Sequence, residues 1–151
     1  MRAVGIILAG GNNSKMKELS KKRAVGAMPI AGSYRAIDFA LSNMSNSHIQ
    51  KVAVLTQYNA WSLNEHLSSS KWWDFGRKQG GLFVFTPSIT SDNGFWYRGT
   101  ADAIAQNIAF LKKSHEPYVV IASADAVYKM DYNKVLEKHV ETGADLTIVC
   151  K

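Results

Sequence analysis

Two short stretches carry residue types from which a phosphate site could be built. Gly10 and Gly11 end an apolar run and open a loop, where glycines let backbone N–H groups close on phosphate oxygens because no Cβ intervenes. Asp125 follows another apolar run, and its carboxylate is a hard oxygen ligand suited to Mg²⁺. A plain strand-to-helix turn accounts for the glycines equally well, and a turn or helix cap accounts for Asp125. Spacing alone leaves both alternatives open.

Alternating apolar runs and helical patterns must position these residues. The apolar runs are typical of buried parallel strands and comprise Ala3 to Leu8, Lys51 to Thr56, Leu82 to Thr86, Tyr118 to Ser123 and Leu146 to Val149. Helices are predicted over Asp38 to Ser47, Trp61 to Ser68, Thr100 to Lys113 and Tyr132 to Thr142, the last stopping at Gly143. Strands that alternate with helices predict an α/β fold with a mostly parallel sheet. Asp125 is then expected at the carboxyl end of a central strand, on the edge where such sheets bind ligands.

Composition narrows the class of protein. The 151 residues are 46% hydrophobic and 20% charged, which are the proportions of a globular chain. No apolar run approaches the ~18 residues of a membrane span, and the apolar start lacks a signal-peptide cleavage site. The single cysteine, Cys150, excludes an internal disulfide and indicates a reducing cytoplasm. A formal charge of +6 favours anionic partners such as nucleotides, sugar phosphates or nucleic acid.

Several motifs, in order along the chain, resemble those of the ADP-glucose pyrophosphorylase family. The most specific is GSYRAIDFALSN, from Gly32 to Asn43, which is similar to the family run G-x-Y-R-x-I-D-F-x-L-S-N. The other matches are LAGG ending at Gly11, LTQY from Leu55 to Tyr58, Gly80-Gly81, WYRGTADA from Trp96 to Ala103, and Asp125 with YKMDY from Tyr128 to Tyr132. Together they cover essentially the whole chain.

The resemblance implies a fold and an activity. The fold is a Rossmann-like three-layer α/β nucleotidyltransferase domain, truncated here, since the chain stops on a strand pattern with no closing helix. Residues 1–151 are expected to be the N-terminal portion, with the sugar-phosphate half and a C-terminal β-helix in the rest of a longer protein. The family enzyme joins ATP and glucose 1-phosphate to give ADP-glucose and pyrophosphate, for glycogen and starch synthesis.

The resemblance also implies where ligands bind. The nucleotide is expected against a set of residues around the first loop and two later turns: Gly10, Gly11, Gln57, Gly81, Gly99, Thr100 and Ala101. Asp125 corresponds to a metal-binding aspartate of the family and is expected to hold Mg²⁺. Thr100 is in addition the expected N-cap of its helix. Arg35 and Asp38 are interpreted as a structural pair at a helix start.

The first loop departs from the family pattern. Lys15 stands where the family has an arginine on the leaving pyrophosphate, and lysine keeps the charge but loses the bidentate fork. A solvated loop lysine is the alternative interpretation of Lys15. Val25 and Gly26 stand in place of the family's Lys-Pro, and Asn13 stands in place of a loop glycine. These changes predict a weakened catalytic site.

The Asp125 motif is also altered, and the combined pattern resembles the regulatory D-type subunits of bacterial glycogen synthesis. Ser123-Ala124-Asp125-Ala126 replaces the family's S-G-D-H. The favoured hypothesis is therefore a regulatory or weakly catalytic subunit, in a hetero-oligomer with a catalytic homologue and with ATP or ADP-glucose and glucose 1-phosphate as ligands. The first alternative is a fully catalytic sugar-1-phosphate nucleotidyltransferase.

A nucleic-acid-binding module is the remote alternative. It rests only on the positive charge and on aromatic residues that could stack on bases, namely Trp61, Trp72, Trp73, Phe75 and Trp96. Packing in the core or in an interface is the preferred explanation for these rings. We therefore expect no nucleic-acid partner and no membrane partner.

Overall fold

The computed structural model describes residues 2–11, 14–68, 70–75, 80–88 and 96–150, and within these ranges helices and strands alternate. The strands are β1 Ala3–Ala9, β2 Pro29–Ile30, β3 Tyr34–Arg35, β4 Lys51–Thr56, β5 Gly81–Phe85 and β6 Tyr118–Ser123. The helices are α1 Ala36–Asn46, α2 Trp61–Leu67, α3 Thr100–Gln106, α4 Ile108–Ser114 and α5 Tyr132–Thr142. Short 3₁₀ segments occupy Ser14–Ser20, Val25–Ala27 and Ser70–Trp73.

The main sheet is parallel, with strand order β5-β4-β1-β6. In its register Gly5 of β1 lies opposite Val52 of β4 and Val120 of β6. The predicted parallel α/β sheet is therefore confirmed. The expectation that Asp125 follows a central strand is wrong for the described sheet, because β6 pairs with β1 and lies at the sheet edge.

Two layers of helices cover the sheet. On one face, α1, α2 and α5 enclose a core built around Ile37, Leu41, Met44, Leu63 and Leu136. On the other face, α3 and α4 pack on Ile6, Ala53 and Leu55 of the sheet, with Ala103, Ile104, Phe110 and Leu111 supplied by the helices. The predicted three-layer architecture follows from this arrangement.

Most predicted elements form where the sequence patterns place them. Lys51–Thr56, Tyr118–Ser123 and Tyr132–Thr142 have the predicted bounds, and Gly143 ends α5 in the left-handed conformation, φ 61°. The helix predicted from Thr100 to Lys113 is instead α3 and α4, separated at Asn107. The Asn107 side chain donates to the Ala103 carbonyl at 2.8 Å, and such local bonds compete with the helical backbone.

The strand predicted over Leu146 to Val149 is wrong. Residues 146–149 pair with no strand of the described chain, and Leu146 and Ile148 are each 74% exposed. An apolar, β-branched run becomes a strand only where it finds a ladder and a covering layer.

The aromatic residues divide between core and surface. Trp73 and Phe75 are buried, as the packing interpretation predicts. Trp61 and Trp72 are about four-fifths exposed, so burial in the core of the described chain does not account for them. Trp96 is also exposed, and it stacks on the Tyr58 ring. Among the described residues, no helix is long and apolar enough to cross a membrane.

Candidate functional site

A cavity of about 360 Å³ opens at the carboxyl edge of the parallel sheet. This volume lies in the range of small-molecule sites, and the edge is where open α/β sheets bind ligands. Leu8, Leu55 and Ala103 contribute apolar side chains to its lining. The remaining wall residues fall into two groups. We call one group the Gln57 side; it comprises Ala9, Gly10, Gly11, Gln57, Tyr58, Tyr97, Arg98, Gly99 and Thr100. We call the other group the Asp125 side; it comprises Val25, Gly26, Ser123, Ala124 and Asp125.

The Gln57 side joins the loop after β1 to the loop after β4. A Cβ on Gly10 would lie 3.2 Å from the Gln57 Cβ, so glycine permits this close approach of the two loops. Gly11 has open space where a Cβ would stand. The Gln57 Nε2 donates to the Tyr97 carbonyl at 3.4 Å, which ties the β4 loop to the start of α3. The structure thus brings Gly10, Gly11 and Gln57 together, as predicted.

The turn before α3 completes the Gln57 side. Gly99 is the N-cap of α3 and Thr100 is its first residue, so the prediction of Thr100 as N-cap is wrong by one position. No side chain caps at Gly99; instead the Asp102 carboxylate accepts from the Arg98 amide at 2.9 Å and from Gln106 Nε2 at 2.9 Å. Gly99 and Thr100 line the cavity, whereas Ala101 is exposed and does not.

The Asp125 side is built from the end of β6 and the Val25–Ala27 turn. Ala124 continues the β6 ladder, since its amide donates to the Leu8 carbonyl at 3.0 Å. Ser123 Oγ donates a hydrogen bond to the exposed Asp125 carboxylate, which orients that group. Asp125 therefore lines the same cavity as Gly10 and Gly11, as predicted.

Gly26 packs directly against Ala124. A Cβ on Gly26 would lie 3.0 Å from the Ala124 Cβ and 3.7 Å from the Ile37 Cβ. At 3.0 Å the Ala124 Cβ must shift by a few tenths of an ångström to admit the added atom, so we expect a larger residue at position 26 to fit best when position 124 becomes smaller. The Val25–Ala27 turn and the Asp125 loop are consequently one packed unit.

Gly81 does not belong to the cavity, and its prediction as a nucleotide contact is corrected. It begins β5 opposite Lys51, the first residue of β4, and its amide donates to the Gln50 carbonyl at 2.9 Å. A strand rises about 3.3 Å per residue, so Gly81 lies roughly 13 Å from the carboxyl end of β5. Parallel strands start at one edge and end at the other, and the cavity is at the end.

Asn13 and the side chain of Lys15, two predicted positions of the first loop, lie outside the described residues. The cavity residues that sequence analysis did not assign to the site are Leu8, Ala9, Leu55, Tyr58, Tyr97, Arg98, Ala103, Ser123 and Ala124. Adjacency was the available signal for three of them, because Tyr58 follows Gln57, Arg98 precedes Gly99, and Ser123 shares a turn with Asp125.

Arg35 and Asp38 have the predicted structural role. The Arg35 amide donates to Asp38 Oδ2 at 2.8 Å, which satisfies a free donor at the start of α1. The Arg35 guanidinium donates to the Ala27 carbonyl at 3.2 Å. The other Asp38 oxygen lies 2.6 Å from His66 Nε2 of α2. These bonds hold the Val25–Ala27 turn against α1.

The pKa of the Tyr132 phenol is shifted by its surroundings. This phenol, in the first turn of α5, lies 2.9 Å from the Tyr128 phenol. Burial raises the pKa of Tyr132, and the hydrogen bond to Tyr128 raises it further. The pair joins the segment after Asp125 to α5.

The carboxylate chemistry at Asp125 fits a partly protein-bound Mg²⁺. Mg²⁺ is usually held by one or two carboxylates together with substrate phosphates, and Asp125 with the Ser123 hydroxyl supplies one such carboxylate. Within the described part of the chain, no three His, Cys, Asp or Glu residues cluster as a complete metal cage. The arrangement suits a cation that arrives with a phosphorylated ligand.

Comparison with known proteins assigns this chain to a family. Residues 4–151 match the family model described as Nucleotidyl transferase. The chain belongs to the nucleotidyl transferase family. It is 48% identical over 145 residues to a glucose-1-phosphate adenylyltransferase of Clostridium novyi (strain NT), covering 96% of this chain and 38% of that protein. It is 46% identical over 147 residues to the enzyme of that name from Thermosipho africanus (strain TCF52B), covering 97% of this chain and 36% of that protein.

A solved structure supports the fold. The chain is similar to a Bacillus anthracis protein named as a glucose-1-phosphate thymidylyltransferase, with a TM-score of 0.70 and 20% identity. The match covers 92% of this chain and 50% of that one. The nucleotidyltransferase fold is thereby confirmed, and the chain spans well under half the length of the curated relatives cited above.

Proposed function

We propose that this chain is the nucleotide-binding portion of a glucose-1-phosphate adenylyltransferase-type subunit that is regulatory or weakly catalytic. The sequence relatives carry that enzyme name, and their greater length leaves room for a sugar-phosphate half and a C-terminal β-helix outside this chain. The cavity at the carboxyl edge of the sheet is the proposed binding site for ATP or ADP-glucose.

The Gln57 side is suited to the nucleoside. A glutamine amide offers both a donor and an acceptor, which match the edge of adenine. Gly10 and Gly11 leave room for the ligand to approach the backbone, and Gly99 and Thr100 line the same cavity. Arg98 places a positive charge on this side.

One observation carries the regulatory half of the proposal: Val25 and Gly26 form the wall beside Asp125. Among the described residues of the Asp125 side, Asp125 carries the only charged side chain, and that charge is negative. Pyrophosphate gathers negative charge as its bond to the α-phosphorus breaks, and cationic donors that hold it more tightly in the transition state accelerate that step. The Val25 side chain supplies neither a charge nor a hydrogen-bond donor. This wall therefore borders the bound nucleotide without assisting the departure of pyrophosphate.

Lys15 remains the proposed weakened contact to pyrophosphate in this loop. Lysine keeps the positive charge but cannot form the two parallel hydrogen bonds of arginine. Asn13 is proposed to add a side chain to the same loop. Together with Val25, these changes lower the expected rate of transfer.

Asp125 is the proposed Mg²⁺ ligand. When bound, the ion would neutralise charge on the nucleotide phosphates. The chain's own contribution is to hold one carboxylate at the cavity edge, with Ser123 fixing its orientation. The Gly26–Ala124 contact packs the turn that carries Val25 against the residue that precedes this carboxylate.

A catalytic homologue is the proposed partner, in a cytoplasmic hetero-oligomer that also uses glucose 1-phosphate. A full catalytic role is the second candidate, favoured by the shared placement of Gly10, Gly11 and Asp125 in one cavity. Pyrophosphate release from ATP and glucose 1-phosphate, measured with the full-length protein alone and then with a catalytic partner, separates the two. We expect little release alone and a changed rate or substrate response in the mixture. Release alone at the rate of an ordinary catalytic subunit would contradict the regulatory role.

A further inference from the structure

Asn43 of α1 is a buried polar side chain outside the cavity. It is 4% exposed, and both ends of its amide bond to main chain more than 80 residues away. Its Nδ2 donates to the Tyr128 carbonyl at 3.0 Å, and its Oδ1 accepts from the Met130 amide at 3.2 Å. A buried amide used at both ends fixes the backbone that it contacts, because losing either bond leaves a desolvated polar group.

The backbone fixed by Asn43 is the segment that follows Asp125. Upstream, the Ala124 amide bonds to the Leu8 carbonyl and anchors the segment to β1. Downstream, the buried Ser47 Oγ accepts from the Tyr132 amide at 2.9 Å. Asp125 therefore stands on a short span held by β1 at one end and by α1 at the other.

Helix α1 also holds the opposite part of the Asp125 side. The Ala36 amide donates to the Met28 carbonyl at 3.1 Å, and the Arg35 guanidinium donates to the Ala27 carbonyl at 3.2 Å. One rigid element thus fixes both the turn that carries Val25 and the span that carries Asp125. Because a carboxylate must be placed within a fraction of an ångström to act, what holds that span matters to function.

We infer that Asn43 is a positioning residue that sets the place of the Asp125 carboxylate at the cavity. This inference rests on the proposed Mg²⁺-dependent nucleotide binding at Asp125. It differs from a purely structural role because it assigns the effect of Asn43 to one side of the cavity. Nucleotide contacts on the Gln57 side do not depend on the bonds that Asn43 makes.

Ser45 of the same helix provides a matched control. Its hydroxyl donates to the Trp73 carbonyl at 2.7 Å, so it also ties α1 to distant main chain. Trp73 is buried and is not among the cavity-lining residues. Ser45→Ala therefore removes a comparable long-range bond without touching the span after Asp125.

The experiment measures ATP affinity with and without Mg²⁺ on the full-length protein, by calorimetry, at a temperature where thermal melts show each variant folded. We expect Asn43→Ala to lower the Mg²⁺-dependent gain in affinity about tenfold, with Mg²⁺-free affinity within twofold of wild type. Amide hydrogen exchange over residues 126–132 should accelerate in the same variant. Ser45→Ala should leave both measurements unchanged. Asn43→Ser keeps one polar group and serves where Asn43→Ala does not fold, with an expected loss of about threefold.

Each outcome decides the matter. An unchanged Mg²⁺-dependent gain in the folded Asn43 variants overturns the positioning role. An equal fall in affinity with and without Mg²⁺ also overturns it, because that pattern reports a general structural role. A wild-type protein that binds ATP without any gain from Mg²⁺ overturns the proposed metal function, and the role of Asn43 falls with it.

Discussion

The two sides of the cavity are built with different chemistry. The Gln57 side presents an amide, an arginine and glycine backbone, whereas the Asp125 side sets one carboxylate beside Val25 and Gly26. Holding a nucleoside requires shape and hydrogen bonds, and transferring a nucleotidyl group also requires positive charge where the pyrophosphate departs. Among the described residues, the cavity therefore has features suited to binding, and its Asp125 side has no cationic side chain of the kind that transfer requires.

The largest expected effect comes from rebuilding the Asp125 side. Val25→Lys combined with Gly26→Pro and Ala124→Gly should raise pyrophosphate release by the full-length protein about 100-fold, since one well-placed donor is typically worth about 10²–10³ in rate. Adding Lys15→Arg and Asn13→Gly should raise it further. Steady-state release of pyrophosphate is the measurement.

Two controls sharpen that result. Val25→Met changes the side chain without adding charge and should give no gain; an equal gain from methionine would refute the charge argument. Gly26→Pro without Ala124→Gly should destabilise the fold by about 1–3 kcal/mol, because the added atoms meet the Ala124 Cβ at close range. Thermal unfolding of the single and double variants reads out this coupling.

The contact between Gly26 and Ala124 is a feature that could not be predicted from the sequence. Apolar runs that alternate with helical patterns predicted the β1, β4, β5 and β6 strands and the edge where Gly10 and Asp125 meet, because those depend on local pattern and parallel topology. Gln57 was expected at this edge only from the resemblance to the family. Contact between positions 26 and 124 is nonlocal, and no local pattern encodes it.

The errors have local physical causes. Asn107 fits the helical stripe, but its side chain bonds to the helix carbonyl four residues earlier and divides the helix. Gly81 matched a motif, yet its place at the start of β5 puts it on the edge away from the cavity. The run ending at Val149 has strand-like composition but no ladder in the described chain.

The next effect tests the carboxylate itself. Asp125→Asn should lower Mg²⁺-dependent ATP affinity about tenfold, because the amide keeps the shape and loses the charge that attracts the cation. Unfolding free energy should change by less than about 0.5 kcal/mol, since Asp125 is exposed. Asp145→Asn, an exposed carboxylate outside the cavity, is the control for net charge. Equal losses in the two variants would remove Asp125 from the site.

A smaller effect tests the Gln57 side. Gln57→Ala should weaken AMP binding about fivefold, the value of roughly 1 kcal/mol for a lost hydrogen bond. The variant also frees the Tyr97 carbonyl that Gln57 contacts. Gln106→Ala removes another amide bond, to Asp102, and should leave AMP affinity unchanged in calorimetry. Unchanged affinity in Gln57→Ala would move the nucleoside away from this side.

The smallest effect is on stability at high pH. The Tyr132 pKa is raised in the folded protein, so its stabilising contribution is complete below the unfolded pKa of about 10 and is lost as pH rises from there toward the folded pKa. Tyr132→Phe should cost about 1 kcal/mol at neutral pH through the lost bond to Tyr128 and should remove this part of the alkaline decline. Urea unfolding at several pH values measures both. Tyr34→Phe, at an exposed tyrosine, should change neither; an undiminished alkaline decline in Tyr132→Phe would contradict the assignment.

The contrast between the two sides is tested most directly by comparing AMP with ATP, both with Mg²⁺, in calorimetric titrations of the full-length protein. The two nucleotides share the nucleoside and differ in the phosphates that the Asp125 side would hold. We expect the gain from AMP to ATP to be less than tenfold in wild type and at least tenfold greater in the variant Val25→Lys, Gly26→Pro, Ala124→Gly. A wild-type gain as large as that of the rebuilt cavity would show that the Asp125 side already grips the departing phosphates and would contradict the account.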